Sequence, residues 1–112
     1  MSYIGADFVA DALASLGIEH AFAIVSIHNM PLLDAINRLC KTKIIDVRHE
    51  QAGTHAADGY ARATGKLGVM IASTGPGTSN TVTGLYESQF GSSKVLVITG
   101  QADTTFYGKG LS

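Results

Sequence analysis

Two short polar segments hold the residue types that could do chemistry. The first is Arg48-His49-Glu50-Gln51, directly after the apolar run that ends at Val47. A carboxylate at that point opens a helix, where the macrodipole favours negative charge. It can serve acid–base work if it is partly desolvated and faces a ligand proton. By position alone it can equally well cap its own backbone. The second segment is Ser73-Thr74-Gly75-Pro76-Gly77-Thr78-Ser79-Asn80. Its glycines would let a ligand approach the backbone, with free N–H groups pointing outward. A tight strand-to-helix turn explains the same residues. Neither the G-x-G-x-x-G fingerprint nor the P-loop, with its Lys after the last Gly, is present. A Rossmann-type nucleotide-binding module therefore remains a rival without its glycine fingerprint or its acidic ribose ligand.

The elements that must position these segments follow from hydrophobic spacing. Ser2 is placed to cap a helix running to about Leu16, with Ile4, Phe8, Leu13 and Leu16 near helical spacing and Gly17 as its stop. The bounded run Ala21 to Val25 reads as a buried strand. Pro31 suits the first turn of a second helix with Leu32, Leu33, Ile36 and Leu39 facing inward. Lys43 to Val47 is a second strand, and Gln51 to Thr64 a third helix stopped by Gly65. Val69 to Ala72 is a third strand. Thr78 or Ser79 caps a fourth helix to Phe90, and Val95 to Ile98 is a fourth strand. The last dozen residues show no clear period.

This alternation predicts an α/β fold, a doubly wound parallel sheet of about four strands with flanking helices. Ligands in such sheets lie outside the carboxyl ends of the strands. Ser26 to Asn29, Arg48 to Gln51 and Ser73 to Asn80 all fall there.

Composition narrows the function further. The 112 residues carry 46% hydrophobic and 15% charged side chains, enough for a core and too little charge for a disordered tail. A net charge of −1 without a basic block offers no nucleic-acid footprint. The single Cys40 excludes an internal disulfide. The four histidines lack metal-ligand spacing, so no metal site is expected. No run is long enough to span a bilayer. The start lacks a cationic stretch followed by an apolar one, so a cytoplasmic protein is expected. Asp58 and Arg62 stand four apart on a helix and should pair. Tyr60 reads as packing, Cys40 as a small buried residue, and His49 as a residue that orients its neighbours.

Taken together, Arg48-His49-Glu50-Gln51-Ala52, then Ala56 to Gly65 (A-A-D-G-Y-A-R-A-T-G), then Ser73 to Asn80, and Val95-Leu96-Val97-Ile98-Thr99-Gly100-Gln101 resemble the pyrimidine-binding domain of thiamine-diphosphate enzymes. The branch resembled includes acetolactate synthase, benzoylformate decarboxylase and pyruvate oxidase. The resemblance implies that Glu50 hydrogen-bonds N1′ of the cofactor's aminopyrimidine and so promotes loss of the thiazolium C2 proton. The cofactor then carries the carbanion chemistry of decarboxylating or ligating 2-oxo acids. It implies that Ser73, Gly75, Pro76, Gly77 and Asn80 lie at the cofactor, and that Val25, Ser26 and His28 line the substrate side. His28 read alone is a loop histidine bonded to backbone. Ser73 stands where benzoylformate decarboxylase carries a histidine, and Ser cannot shuttle a proton as His does. The G-x-P-G-like turn of many relatives is replaced here by Ala23-Ile24-Val25-Ser26.

Family members also carry a domain that binds the diphosphate through Mg²⁺, and no G-D-G…N stretch occurs here. Residues 1–112 are thus expected to be the N-terminal part of a pyrimidine-binding domain, with the middle and diphosphate domains absent. Alone, such a piece should bind thiamine diphosphate weakly and catalyse nothing. It is either a truncated chain or a natural small subunit, with a non-catalytic interaction domain as a third reading. The resemblance implies a homodimer or homotetramer in the complete enzyme, with the cofactor between subunits. Whether a flavin is bound is left open.

Overall fold

Residues 4–100 are described by a computed structural model, and Ser2 and the last dozen residues lie outside them. The elements run α1 (Gly5–Ser15), β1 (His20–Ala23), α2 (Met30–Leu39), β2 (Lys43–Asp46), α3 (Glu50–Thr64), β3 (Gly68–Ala72), α4 (Pro76–Ser79), α5 (Val82–Phe90) and β4 (Val95–Thr99). The four strands form one parallel sheet in the order β2-β1-β3-β4. This is the expected doubly wound α/β fold.

Strand order and chain handedness together place the helices. The crossover from β1 to β2 steps one way across the sheet. Those from β2 to β3 and from β3 to β4 step the other way. Right-handed crossovers then put α2 on one face and α3 and α5 on the opposite face. Two cores result, and alternate residues of β3 divide between them. Val69 and Ile71 join Ala10, Leu13, Leu32 and Ile36 under α1 and α2. Met70 and Ala72 join Ala57, with Phe22, Val47 and Val97 packed alongside. All five residues of β3 are buried, as a central strand covered on both faces requires.

Several expectations from the sequence differ in detail. The buried face of α1 is Asp7, Ala10 and Leu13, while Phe8 and Leu16 are exposed. The small Ala10 and the polar Asp7 let α1 lie against α2, where Asp7 Oδ1 pairs with Arg38 at 2.7 Å. Leu39, at the end of α2, is also exposed. The predicted fourth helix is two helices. Buried Thr81 donates both its N–H and its hydroxyl to the Thr78 carbonyl, at 3.1 and 2.7 Å, and this competition ends α4. Thr78 and Ser79 lie inside α4 and are not caps; Gly75 precedes it. Finally, β1 stops at Ala23, although the Ile24 N–H still donates to Ile71 at 3.2 Å.

The other packing readings fit. Tyr60 lies edge-on to His20 and Phe22. Cys40 is half-buried, its thiol donating to the Ala10 carbonyl at 3.1 Å, and burial pushes the thiol pKa up. Asp58 and Arg62 do pair, at 3.1 Å, and Arg62 reaches on to Ser93 and Glu87 beside α5. The Ser93 hydroxyl, then Arg62, hold the buried Asp58 carboxyl below its ordinary value. A depressed carboxyl stabilises the fold above the unfolded pKa and loses that contribution as pH falls through the folded value. Asp58→Asn should therefore lower stability at neutral pH by about 1–2 kcal/mol. Urea melts should show the gap to wild type closing as pH drops below the usual carboxylate range; a gap independent of pH would refute the assignment.

Candidate functional site

Glu50 is the first residue of α3, and β2 delivers it to the carboxyl edge of the sheet. The helix start needs an acceptor for its orphan N–H groups. His49 provides it: Nδ1 accepts from the Gln51 N–H at 3.0 Å. Glu50 is released from capping. Its side chain is half-buried and makes no ion pair among the described residues. Oε1 accepts one hydrogen bond, from the Asn80 side-chain amide at 3.1 Å.

The facing wall is the turn after β3. Gly75 adopts φ 52°, ψ −119°, a conformation that L side chains avoid. Pro76 follows as the first residue of α4, where its missing N–H costs nothing. Gly77 is buried beneath the carboxylate. A Cβ on it would stand 3.2 Å from Glu50 Oε2 and 3.3 Å from Ser73 Cβ. Thus Glu50, Ser73, Gly77 and Asn80 come together, thirty residues apart in sequence at the extremes. One expectation needs correcting. The N–H groups of Gly77, Ser79 and Asn80 are not free to point outward; they donate to Thr74, Gly75 and Pro76 carbonyls at 3.0, 3.0 and 2.9 Å. At these three positions the turn closes on itself, and Gly75 is its exposed side-chain-free point.

The segment after β1 lies between these walls in strand order but makes its own contacts. Val25 is exposed and Ser26 half-buried. The Ser26 hydroxyl oxygen is buried without a hydrogen-bond partner. His28 packs against Gly100, where a Cβ would meet His28 Cβ at 2.8 Å. It borders a cavity of about 190 Å³ shared with Val9, Leu32 and Ile98. No hydrogen bond or ion pair among the described residues joins Val25, Ser26 or His28 to Glu50 or Asn80. The residue that sequence reasoning passed over is Asn29. It is buried, and its amide contacts Ser26, Ile24 and Ala72. Its position before Met30-Pro31 carried the signal of a helix cap, yet it makes no side-chain cap bond.

Among the described residues no group of three or more His, Cys, Asp or Glu side chains is arranged to hold a metal, and no helix is long and apolar enough to cross a membrane. Comparison with known proteins adds the family. Residues 4–112 match the model of the thiamine pyrophosphate enzyme, N-terminal TPP binding domain. An acetolactate synthase of Arthrospira platensis is 45% identical over 107 residues, covering 93% of this chain and 18% of the relative. The acetolactate synthase large subunit of Parasynechococcus marenigrum is 47% identical over 100 residues, covering 87% and 16%. That of Lactococcus lactis is 40% identical over 105 residues, covering 94% and 18%. The chain spans less than a fifth of the length of these relatives. With nearly every residue matched in order, and a parallel sheet carrying the matched segments at its strand ends, the chain belongs to the thiamine pyrophosphate enzyme family as an N-terminal TPP binding domain.

Proposed function

We propose that this chain forms the aminopyrimidine-binding wall of a thiamine-diphosphate enzyme that decarboxylates or carboligates 2-oxo acids, as an acetolactate-synthase-like protein. The observation that carries this reading is the state of Glu50: a carboxylate with one oxygen bonded to Asn80, the other above Gly77, and no ion pair among the described residues. Such a group fits the cofactor's ring nitrogen, because its second oxygen keeps lone pairs for an N–H donor. The exposed, side-chain-free backbone at Gly75 fits a flat ring's approach.

When bound, thiamine diphosphate supplies the nucleophilic carbon that the reaction needs. Glu50 would accept a hydrogen bond from the aminopyrimidine N1′ and hold a proton there. Asn80 keeps the carboxylate turned toward the turn; Gly75 and Pro76 would offer the surface for the ring, with Gly77 and Ser73 supporting the carboxylate from below. Val25, Ser26 and His28 face the substrate. The diphosphate and its Mg²⁺ would be held by a diphosphate-binding domain of the complete enzyme, and residues 1–112 by themselves would supply only the aminopyrimidine side of the site. The complete enzyme is a cytoplasmic homodimer or homotetramer.

Glu50→Gln in the full-length holoenzyme should slow C2–H exchange, followed by NMR in deuterated buffer, by roughly 10²- to 10⁴-fold. Unchanged exchange would remove Glu50 from the role. Gly77→Ala pushes a methyl toward Oε2, so exchange should slow about tenfold while the melting temperature barely moves. A variant that exchanges like wild type would show that the carboxylate's seat on Gly77 is immaterial. Val82, Tyr86 and Phe90 lie at i, i+4 and i+8 on α5, exposed by 56, 62 and 77%. Such a stripe calls for a covering surface. Light scattering on this chain should report self-association, and a clean monomer at high concentration would contradict it.

A further inference from the structure

The sheet has one topological switch point, between β1 and β3. From β1 the chain crosses toward β2, and from β3 it crosses toward β4. A crevice opens at the carboxyl ends of such a pair. The two strands are paired through Ala23 and Ile71, with one further bond from the Ile24 N–H to the Ile71 carbonyl at 3.2 Å. Beyond that, no backbone bond joins them among the described residues. A single side chain does.

Asn29 is 4% exposed and sits at the head of α2. Its Oδ1 accepts the Ser26 N–H at 2.8 Å. Its Nδ2 donates to the Ile24 carbonyl at 2.8 Å and to the Ala72 carbonyl at 3.2 Å. One amide therefore ties the end of β1, the loop that follows it, and the last residue of β3. Ala72 immediately precedes Ser73 and the Gly75 turn. Asn uses both donor hydrogens and an acceptor lone pair here, a pattern that Asp, Leu and Ser cannot reproduce. The position would ordinarily reward a helix cap, but the helix leaves its side chain to the sheet.

We propose that Asn29 is a positioning residue whose buried amide clamps the loop of residues 24–28 to the end of β3 and thereby fixes the substrate-side wall of the crevice. The second half of this statement rests on the reading of residues 25–28 as facing the substrate; the clamp itself does not. The clamp also accounts for β1 ending early as a strand. The ladder ends with the Ile24 N–H, and beyond it the Asn29 amide takes the Ile24 carbonyl and the Ala72 carbonyl of β3.

The test has two arms on the full-length protein. In wild type, the Asn29 side-chain NH₂ protons and the Ser26 amide should exchange slowly with solvent, read by NMR without cofactor. Rapid exchange of both overturns the clamp, and this arm needs no variant to fold. In Asn29→Leu and Asn29→Asp, Ser26 amide protection should fall roughly tenfold while the β3 amides stay protected. Protection lost equally in β3 would mean a purely structural residue and would also overturn the proposal. With pyruvate as the probe 2-oxo acid, KM should rise about tenfold while C2–H exchange stays at the wild-type rate. Unchanged KM with the Ser26 protection lost would overturn the link to the substrate wall. If Glu50→Gln were to leave C2–H exchange intact, the functional reading would fail instead, and the exchange arm would still decide the clamp.

Discussion

The approach of α3 to the sheet governs everything at the carboxyl edge. The helix lies closer to β3 than ordinary side chains would permit. A Cβ on Gly53 would run into the Met70 side chain and stand 2.9 Å from Val47. From the sheet side, a Cβ on Gly68 would collide with the Ala57 carbonyl. Thr54, buried on the side of α3 that meets α5, returns its hydroxyl to the Glu50 carbonyl at 2.7 Å. On the outer side Gly84 lets α5 rest on Thr54. At the far end Arg62 binds Asp58, Ser93 and Glu87 together. A helix gripped along its length has a fixed first residue, and that residue is Glu50. Interiors packed at crystal density transmit such constraints without slack.

Much of this architecture was legible in the sequence because strands and helices here differ sharply in local pattern. The four β-branched or apolar runs became the four strands, and glycine marked the ends of α1 and α3 where the backbone enters a left-handed conformation, at Gly17 and Gly65. What local pattern does not carry is which strand neighbours which. The order β2-β1-β3-β4 arises from crossovers that depend on the whole chain. The exposed Phe8 and Leu16 show a second limit. Apolar spacing marked α1 as a helix but misjudged its inner face, because Asp7 and Ala10 are buried there by contact with α2. Thr81 shows a third. A hydroxyl that binds the carbonyl three residues back interrupts a helix without any change in hydrophobic pattern.

At the site, the residue types were readable and their partnerships were not. Glu50 and the turn from Ser73 to Asn80 stood out by composition and resemblance. That Asn80 would bond to Glu50 follows only from β2 and β3 flanking β1 with α3 laid across them. The glycines of the turn were expected to expose N–H donors. Instead the donors of Gly77, Ser79 and Asn80 close the turn on itself, and the glycines serve clearance and backbone conformation. Asn29 was hidden because an Asn before Met-Pro already has an ordinary explanation as a helix cap.

The same division of labour explains why a carboxylate at a helix start need not be a cap. A helix end leaves N–H groups that must find acceptors. If Glu50 had supplied them, its oxygens would be turned back onto α3 and closed to anything above the sheet. His49 takes that task with a ring nitrogen, and the two neighbours thereby separate structural and chemical duties. Asn80 then holds one carboxylate oxygen from across the crevice, which selects a single orientation, and Gly77 leaves room for the other. A lone carboxylate on a flexible side chain would lose rotamer freedom each time it met a ligand. Here that freedom is already restricted before any ligand arrives, so the carboxylate's direction is a property of the fold.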